Sequence, residues 1–124
     1  MLWYSSGVKV CVRNQTRDTV LATAADVADT SAKRRTGLLK HTGLEPGEGL
    51  WISPCEAVHT IGMKFPIDVL FLDRKRKVLK IKHAMPRGRM AVSLFAHSVL
   101  ELPGGRAAEC KTATGDQLEF EKYD

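Results

Sequence analysis

Residues 67–83 read IDVLFLD-RKRK-VLKIKH, and this stretch carries the clearest fold signal in the chain. Its first segment is an apolar run of strand length, and the four cationic residues after it suit a turn. The third segment alternates, which places Val78, Lys80 and Lys82 on one face of a strand. The stretch therefore predicts a β-hairpin.

Short strands are predicted on both sides of this hairpin. Residues 8–24 form an N-terminal hairpin, because Val8, Val10 and Val12 alternate with polar residues and an apolar segment returns after the turn. Further strands are expected at LWIS, SVLEL and LEFEK, which begin at residues 50, 98 and 118.

One helix is expected from residue 31 onward. Asp29, Thr30 and Ser31 are good N-caps, and the segment SAKRRTGLLKH that follows has helical composition. Gly43 suits the C-terminal stop. Gly37 then lies inside the helix at a cost of about 1 kcal/mol, which a close packing contact would offset. A second short helix is expected between two turns in residues 103–117.

Length and composition indicate one globular domain that spans residues 1–124. The chain has 124 residues, of which 44% are hydrophobic and 27% charged, so disordered, collagen-like and low-complexity classes are excluded. No apolar run approaches the roughly 18 residues of a membrane span. The predicted class is a β-rich α+β fold: a small barrel-like sheet of about seven short strands with one or two short helices.

The N-terminus and the cysteines indicate a reduced, cytoplasmic protein. The opening MLWYSSGVKVCVRNQ lacks the basic, apolar and cleavage regions of a secretory signal. Cys11, Cys55 and Cys110 are odd in number and widely spaced, unlike a disulfide framework or a zinc site. We expect three thiols, no cofactor and no metal. One disulfide with one free thiol remains open if the chain is exported by another route.

Positive charge is concentrated in residues 74–89, which hold eight basic residues and no acid. This segment predicts a basic face, and nucleic-acid binding is one alternative function for it. The residues that would carry it are Arg74, Lys75, Arg76 and Lys77. Interleaved aromatic residues and known nucleic-acid-binding motifs are missing from the segment, so a solvated charged turn is the plainer interpretation.

Residues 59–73, HTIGMKFPIDVLFLD, resemble the domain of unknown function 192 (DUF192) family. The segment RRTGLL at residues 34–39 matches that family's Arg-x-x-Gly-Leu-Met signature. VLELPGG at residues 99–105 and Gly115-Asp116 match later signatures. The resemblance spans roughly residues 25–120 and implies a small β-rich fold but no reaction, since the family has no established activity.

The chain departs from the family's common form just before Pro66. His-Thr-x-Gly-Met stands where many members carry Trp-Met-Lys-Asn-Thr, which places His59 at the tryptophan position. Roles tied to the side chains of the common form therefore do not carry over to this chain.

A binding module is the predicted function, with a shallow pocket near residues 59–68. The ligand would be a small molecule or a protein partner. The candidate ligand-binding residues are Arg34, His59, Thr60, Met63, Asp68 and Glu101.

Structural roles compete with ligand binding at several of these positions. Glu101 lies in mid-strand and needs a partner, so an internal ion pair with Arg34 or Arg35 is the favoured interpretation. His59 is expected to hydrogen-bond the loop at Gly62. Asp68 is expected to accept hydrogen bonds from backbone amides at the start of its strand.

The remaining alternative is a small hydrolase or metal-dependent enzyme that uses His59 with Asp68 or Cys55. If residues 56–60 are extended, Cys55 and His59 lie about 13 Å apart, too far for direct contact. A structural thiol is therefore the favoured interpretation of Cys55.

Overall fold

The computed structural model describes residues 8–39 and 41–123. They form nine strands and two short helices. The strands are β1 (Lys9–Asn14), β2 (Thr19–Ala28), β3 (Glu48–Ile52), β4 (Ala57–His59), β5 (Ile67–Leu72), β6 (Val78–Met85), β7 (Met90–Val92), β8 (Ser98–Pro103) and β9 (Leu118–Lys122). The helices are α1 (Ser31–Thr36) and α2 (Arg106–Glu109). No helix in the described ranges is long and apolar enough to cross a membrane.

Seven strands form one curled sheet in the order β6-β5-β8-β3-β2-β1-β9. All neighbours in it are antiparallel except β2 and β3, which α1 and the segment after it connect. The two edges meet at one end, where Lys77 pairs with Gln117 and the Val78 N–H donates to the Asp116 carbonyl at 2.9 Å. The sheet is therefore a half-barrel closed at that end, which confirms the predicted β-rich, barrel-like class.

Both faces of the sheet are buried. Side chains such as Val12, Leu70 and Leu100 fill the inside of the half-barrel. The outer face, including Val69 and Val99, packs against residues after α1 and against a two-stranded ribbon of β4 and β7. Every residue of β5 is buried, which explains why its sequence is continuously apolar instead of alternating.

Asp68 is the polar exception in β5, and it is fully buried. Its Oδ1 accepts hydrogen bonds from the N–H groups of Ala84 (2.7 Å) and Gly105 (3.0 Å). Its Oδ2 accepts one from the N–H of Ala107 at 2.7 Å. The expected backbone-binding role of Asp68 is thus confirmed, although the amides come from distant β6 and α2 segments.

Helix α1 is shorter than the sequence suggested. The Thr30 side chain accepts from the Lys33 N–H at 3.2 Å, but the helix ends at Thr36 and Gly37 caps it. Gly37 has φ 48° and ψ −129°, a combination that side-chain-bearing residues strongly disfavour. The expected stop at Gly43 and the expected close packing of Gly37 are both wrong, because Gly37 is present for its backbone conformation.

The β5–β6 hairpin is confirmed, with an irregular register. Leu72 pairs with Val78 while Phe71 pairs with Lys80, so β6 carries one extra residue between the two pairs. This bulge turns Val78 into the half-barrel core and leaves Lys80 on the outer side. The prediction that Val78 and Lys80 share a face is therefore wrong.

We expect Asp68→Asn to lower the free energy of unfolding by about 2 kcal/mol and Asp68→Ala by about 4 kcal/mol. The asparagine amide would face a backbone N–H donor, and alanine would leave all three buried donors unpaired. Urea unfolding measures both values. Asp26→Asn is the control, because its ion pair with Lys9 is exposed and is worth less than about 1 kcal/mol. Equal effects of Asp26→Asn and Asp68→Asn would contradict this role.

Candidate functional site

An open cleft of about 320 Å³ lies on the outer side of the half-barrel, between the α1 segment and residues 52–63. Apolar and polar side chains line it in about equal measure. The apolar wall residues include Leu38, Leu39, Ile52, Val58 and Met63. The titratable or charged residues are Arg34, Arg35, Cys55, His59 and Glu101.

Two glycines shape this cleft. Gly37 ends α1 and turns the chain so that Leu38 becomes buried in the outer core. Gly62, with φ +85°, forms the turn after β4, and a Cβ there would lie 3.4 Å from the Leu39 side chain. The two turns therefore bring the α1 segment and the β4 segment together across the cleft.

Glu101 lies at the floor of the cleft. Leu100 and Leu102 point into the half-barrel, so the strand alternation directs Glu101 to the outer side. The residue is only 5% exposed, and its carboxyl makes no hydrogen bond or ion pair with any residue of the described ranges. Burial raises the pKa of this carboxyl to about 7.

The backbone around Glu101 is closely packed. A Cβ on Gly49 of β3 would lie 2.9 Å from the Glu101 carbonyl oxygen and 3.1 Å from the Leu102 side chain. Only glycine permits β3 to approach β8 this closely. The floor of the cleft is therefore a closely packed part of the sheet.

The expected ion pair between Glu101 and Arg34 or Arg35 is wrong. The Arg34 guanidinium reaches back along its own helix and donates to the Asp29 carbonyl at 3.1 Å and to Ser31 Oγ at 3.5 Å. Arg35 is exposed. Both arginines lie at the edge of the cleft, and neither neutralises the buried carboxyl.

His59 is exposed at the rim of the cleft, opposite Met90 in the ribbon. The expected hydrogen bond from its ring to the Gly62 loop is absent from the described part of the chain, so that interpretation is wrong. The Met63 N–H closes the loop instead, by donating to the Thr60 carbonyl at 3.1 Å. The ring is left available to solvent or a ligand.

Cys55 also lines the cleft, but it has the properties of a structural thiol. Its Sγ donates to the Ala57 carbonyl at 3.2 Å, and burial is the main cause that raises the pKa of the thiol. A raised pKa disfavours the nucleophilic thiolate. Within residues 8–39 and 41–123, no three His, Cys, Asp or Glu side chains are grouped as metal ligands.

Two of the six predicted ligand-binding residues lie elsewhere. Asp68 is inside the half-barrel and engaged by three amides. Thr60 is buried, and its hydroxyl donates to the Pro86 carbonyl at 2.6 Å and accepts from the Arg89 N–H at 2.9 Å. The prediction that Asp68 and Thr60 lie in the ligand site is therefore wrong, because the polar atoms of both side chains hold the fold together.

Sequence reasoning missed the apolar walls of the cleft. The sequence pattern predicts a continuous helix through Leu38 and Leu39, and Val58 lies in a three-residue strand too short to give a periodic signal. The RRTGLL segment was the signal that could have located these walls, since this short motif supplies the rim arginines, the glycine turn and the wall leucines.

The basic turn at residues 74–77 takes part in closing the half-barrel. Asp73 Oδ1 accepts from the N–H groups of Lys75 (2.8 Å) and Lys77 (2.9 Å). The Arg76 guanidinium lies 4.8 Å from the Trp51 ring centroid and also covers the Phe120 ring. Arg74, Lys75 and Lys77 are exposed, whereas Arg76 is half-buried and serves the fold.

Comparisons with known proteins identify relatives of this chain. The family described as uncharacterized ACR, domain of unknown function 192, matches residues 12–120. A UPF0127 protein from Thermococcus sibiricus is 30% identical over 116 residues, which cover 87% of this chain and 73% of that protein.

Two crystal structures share the fold. One is a protein of unknown function from Novosphingobium aromaticivorans, with a TM-score of 0.78, 24% identity and coverage of 90% of this chain and 84% of that one. The other is a putative transcription regulator from Sinorhizobium meliloti, with a TM-score of 0.79, 19% identity and coverage of 91% and 92%. At these identities the likeness establishes the fold alone.

The buried carboxyl makes stability depend on pH. The folded-state pKa of Glu101, about 7, lies above the ordinary value of 4.5, so the folded chain holds this proton more tightly than the unfolded chain. Its contribution to stability is therefore full below pH 4.5 and falls as pH rises to 7. We therefore expect the free energy of unfolding of Glu101→Gln, measured relative to the wild type, to increase by about 3 kcal/mol as the pH is raised from 4 to 8.

Urea unfolding at several pH values measures this difference. Glu119→Gln on the exposed side of β9 is the matched control, and its difference from the wild type should stay constant. A constant difference for Glu101→Gln as well would show that the Glu101 carboxyl has an ordinary pKa.

Proposed function

The chain belongs to the DUF192 family, and we propose that this member is a binding module whose cleft receives a small ligand or a short segment of a partner protein. The ligand would enter between the α1 segment and β4 and reach Glu101 at the floor. Arg34, His59 and Met63 would contact it from the rim and the wall.

The observation that carries this proposal is the unpartnered carboxyl of Glu101. Burying a polar group without a hydrogen bond costs free energy, about 1–3 kcal/mol by mutational measures. Ligand sites typically combine apolar surface with converging polar groups, and side chains of both kinds line this cleft. A ligand that brings a donor to Glu101 would recover the cost of its burial.

The rim groups support the same interpretation. The His59 ring is exposed and makes no hydrogen bond within residues 8–39 and 41–123. The Arg34 guanidinium uses part of its donor set within α1, and a guanidinium has five N–H donors in all. Both side chains thus have donors left for a ligand at the mouth of the cleft.

A fragment screen by ¹H–¹⁵N NMR tests the proposal. We expect binding fragments to shift the amides of Leu38, Val58 and Met63 while leaving Gln117, at the far closure of the half-barrel, unchanged. His59→Ala should weaken binding about fivefold, the loss of one rim contact of about 1 kcal/mol. His83→Ala removes an exposed histidine of β6 outside the cleft and should bind normally. Fragments that shift no cleft amide would refute the proposal.

Nucleic-acid binding is the second candidate, through the exposed cations Arg74, Lys75 and Lys77. The Sinorhizobium structure with the same fold is described as a putative transcription regulator, which supports testing this candidate. Arg76 is engaged with Trp51 and is left out of the proposed contact set.

If this turn contacts phosphates, the double variant Lys75→Glu/Lys77→Glu should weaken duplex DNA binding. The slope of log affinity against log salt should fall by about two, one for each lost contact. Fluorescence anisotropy at several salt concentrations measures it. Lys111→Glu/Lys122→Glu changes the net charge equally at other exposed positions and serves as the control. Equal loss in both double variants would indicate nonspecific attraction.

An enzymatic role for His59 has less support from the site. The cleft brings His59 and Cys55 to one cavity, but the Cys55 thiol has a raised pKa and Asp68 lies inside the half-barrel. A hydrolase would need a base, a nucleophile and an orienting group within hydrogen-bond reach of each other. These three residues are not arranged in that way.

A further inference from the structure

We propose that the cleft selects an organic cation, an ammonium or guanidinium head on an apolar stem, which binds head-first against Glu101. This inference rests on the proposed binding function and names its ligand class. The shared chemistry is a positively charged nitrogen group with N–H donors, attached to a short hydrocarbon chain.

The Glu101 carboxylate at the floor of the cleft favours a ligand that brings positive charge and hydrogen-bond donors. An ionised carboxylate only accepts hydrogen bonds, and Glu101 receives none from the described residues. A ligand ammonium or guanidinium would supply both the counter-charge and the N–H donors. Hydrogen bonds between charged partners are about twice as strong as neutral ones.

The walls fit the stem of such a ligand. Leu38, Ile52, Val58 and Met63 are buried or nearly buried apolar residues along the cleft. Methylene chains that carry a charged head pack along apolar surface in the way that lysine and arginine stems do. A bare inorganic cation would gain nothing from these walls.

The rim sets the direction of binding. Arg34 and Arg35 from α1 and His59 from β4 lie at the mouth, while Glu101 is the acidic residue at the floor. Besides these four residues, Cys55 is a titratable group in the lining of the cleft, and the exposed Glu56 follows it in the chain. A second positive charge on the ligand would meet the arginines, so a monocation should bind better than a diamine of the same length.

The ionisation of Glu101 links ligand class to pH. A cation binds best when Glu101 is ionised, so its affinity should rise about tenfold per pH unit below pH 7 and level off above it. A carboxylate ligand should show the opposite trend. A neutral ligand should show little dependence. The sign of the pH dependence therefore identifies the ligand class on the wild-type protein alone.

The experiment is an NMR titration with four probes of equal stem length: n-butylammonium, n-butylguanidinium, n-butanol and pentanoate. We expect both cations to bind at least tenfold more tightly than butanol at pH 7.5, with shifts at cleft amides such as Val58 and Met63. Putrescine, the corresponding diamine, should bind more weakly than n-butylammonium.

Two variants localise the effect. Glu101→Gln keeps the side-chain shape and should lose the preference for cations about tenfold while still binding butanol. Glu56→Gln removes an exposed carboxylate near the mouth and should change cation affinity by less than about twofold. Dispersed amide spectra verify that both variants are folded.

The outcomes separate this inference from the function on which it rests. Butanol or pentanoate bound in the cleft as tightly as the cations would overturn the cation preference and leave the binding function in place. Cation binding that Glu101→Gln does not weaken would also overturn it. Absence of cleft shifts with every probe, here and in the fragment screen, would overturn both proposals.

Discussion

Three backbone N–H groups from distant segments converge on the carboxylate of Asp68. They belong to Ala84 at the end of β6 and to Gly105 and Ala107 around the start of α2. By holding these segments to β5, one side chain fixes the open end of the half-barrel. Strand β8 runs directly into α2 and pairs with β5, so the position of Glu101 depends on the same carboxylate.

The adjacent strands β5 and β8 thus each carry a buried carboxyl, and the two carboxyls have opposite surroundings. Asp68 pairs with Leu102 and Val69 pairs with Glu101, which places the two acidic side chains one residue apart on opposite faces of the sheet. Asp68, on the inner face, receives three donors and stabilises the fold. Glu101, on the outer face, receives none from the described residues and has a raised pKa. The Asp68 carboxylate shows that backbone N–H groups of this sheet can satisfy a buried carboxyl. The lack of donors at Glu101 is therefore a property of the cleft.

The sequence predicted the parts of this structure that depend on local pattern. The 67–83 hairpin, the N-terminal hairpin and the role of Asp68 follow from alternation, turn residues and the position of one acid at a strand start. The predictions that were wrong concern features that depend on long-range geometry. The end of α1 depends on the backbone angles of Gly37, the face of Val78 on a one-residue bulge, and the missing partner of Glu101 on how far Arg34 reaches. Of the predicted site, Arg34, His59, Met63 and Glu101 meet at one cleft, which no spacing along the chain could establish.

The separation between barrel and cleft bears on how this family can vary. The positions at which the chain departs from the common Trp-Met-Lys-Asn-Thr form are residues 59–63. Of these, His59, Ile61 and Gly62 are exposed, and His59 and Met63 line the cleft. Thr60 holds the neighbouring turn through backbone partners only, and the half-barrel closes at the far end through the turn that contains Arg76. Exchanging the exposed side chain at position 59 therefore alters the rim of the cleft at little cost to the barrel, whereas Thr60 and Met63 are buried. A large indole at position 59 would narrow the mouth that His59 leaves open. If the cleft has the proposed binding function, members with the common form should admit ligands of different shape, while the sheet that positions the floor stays the same.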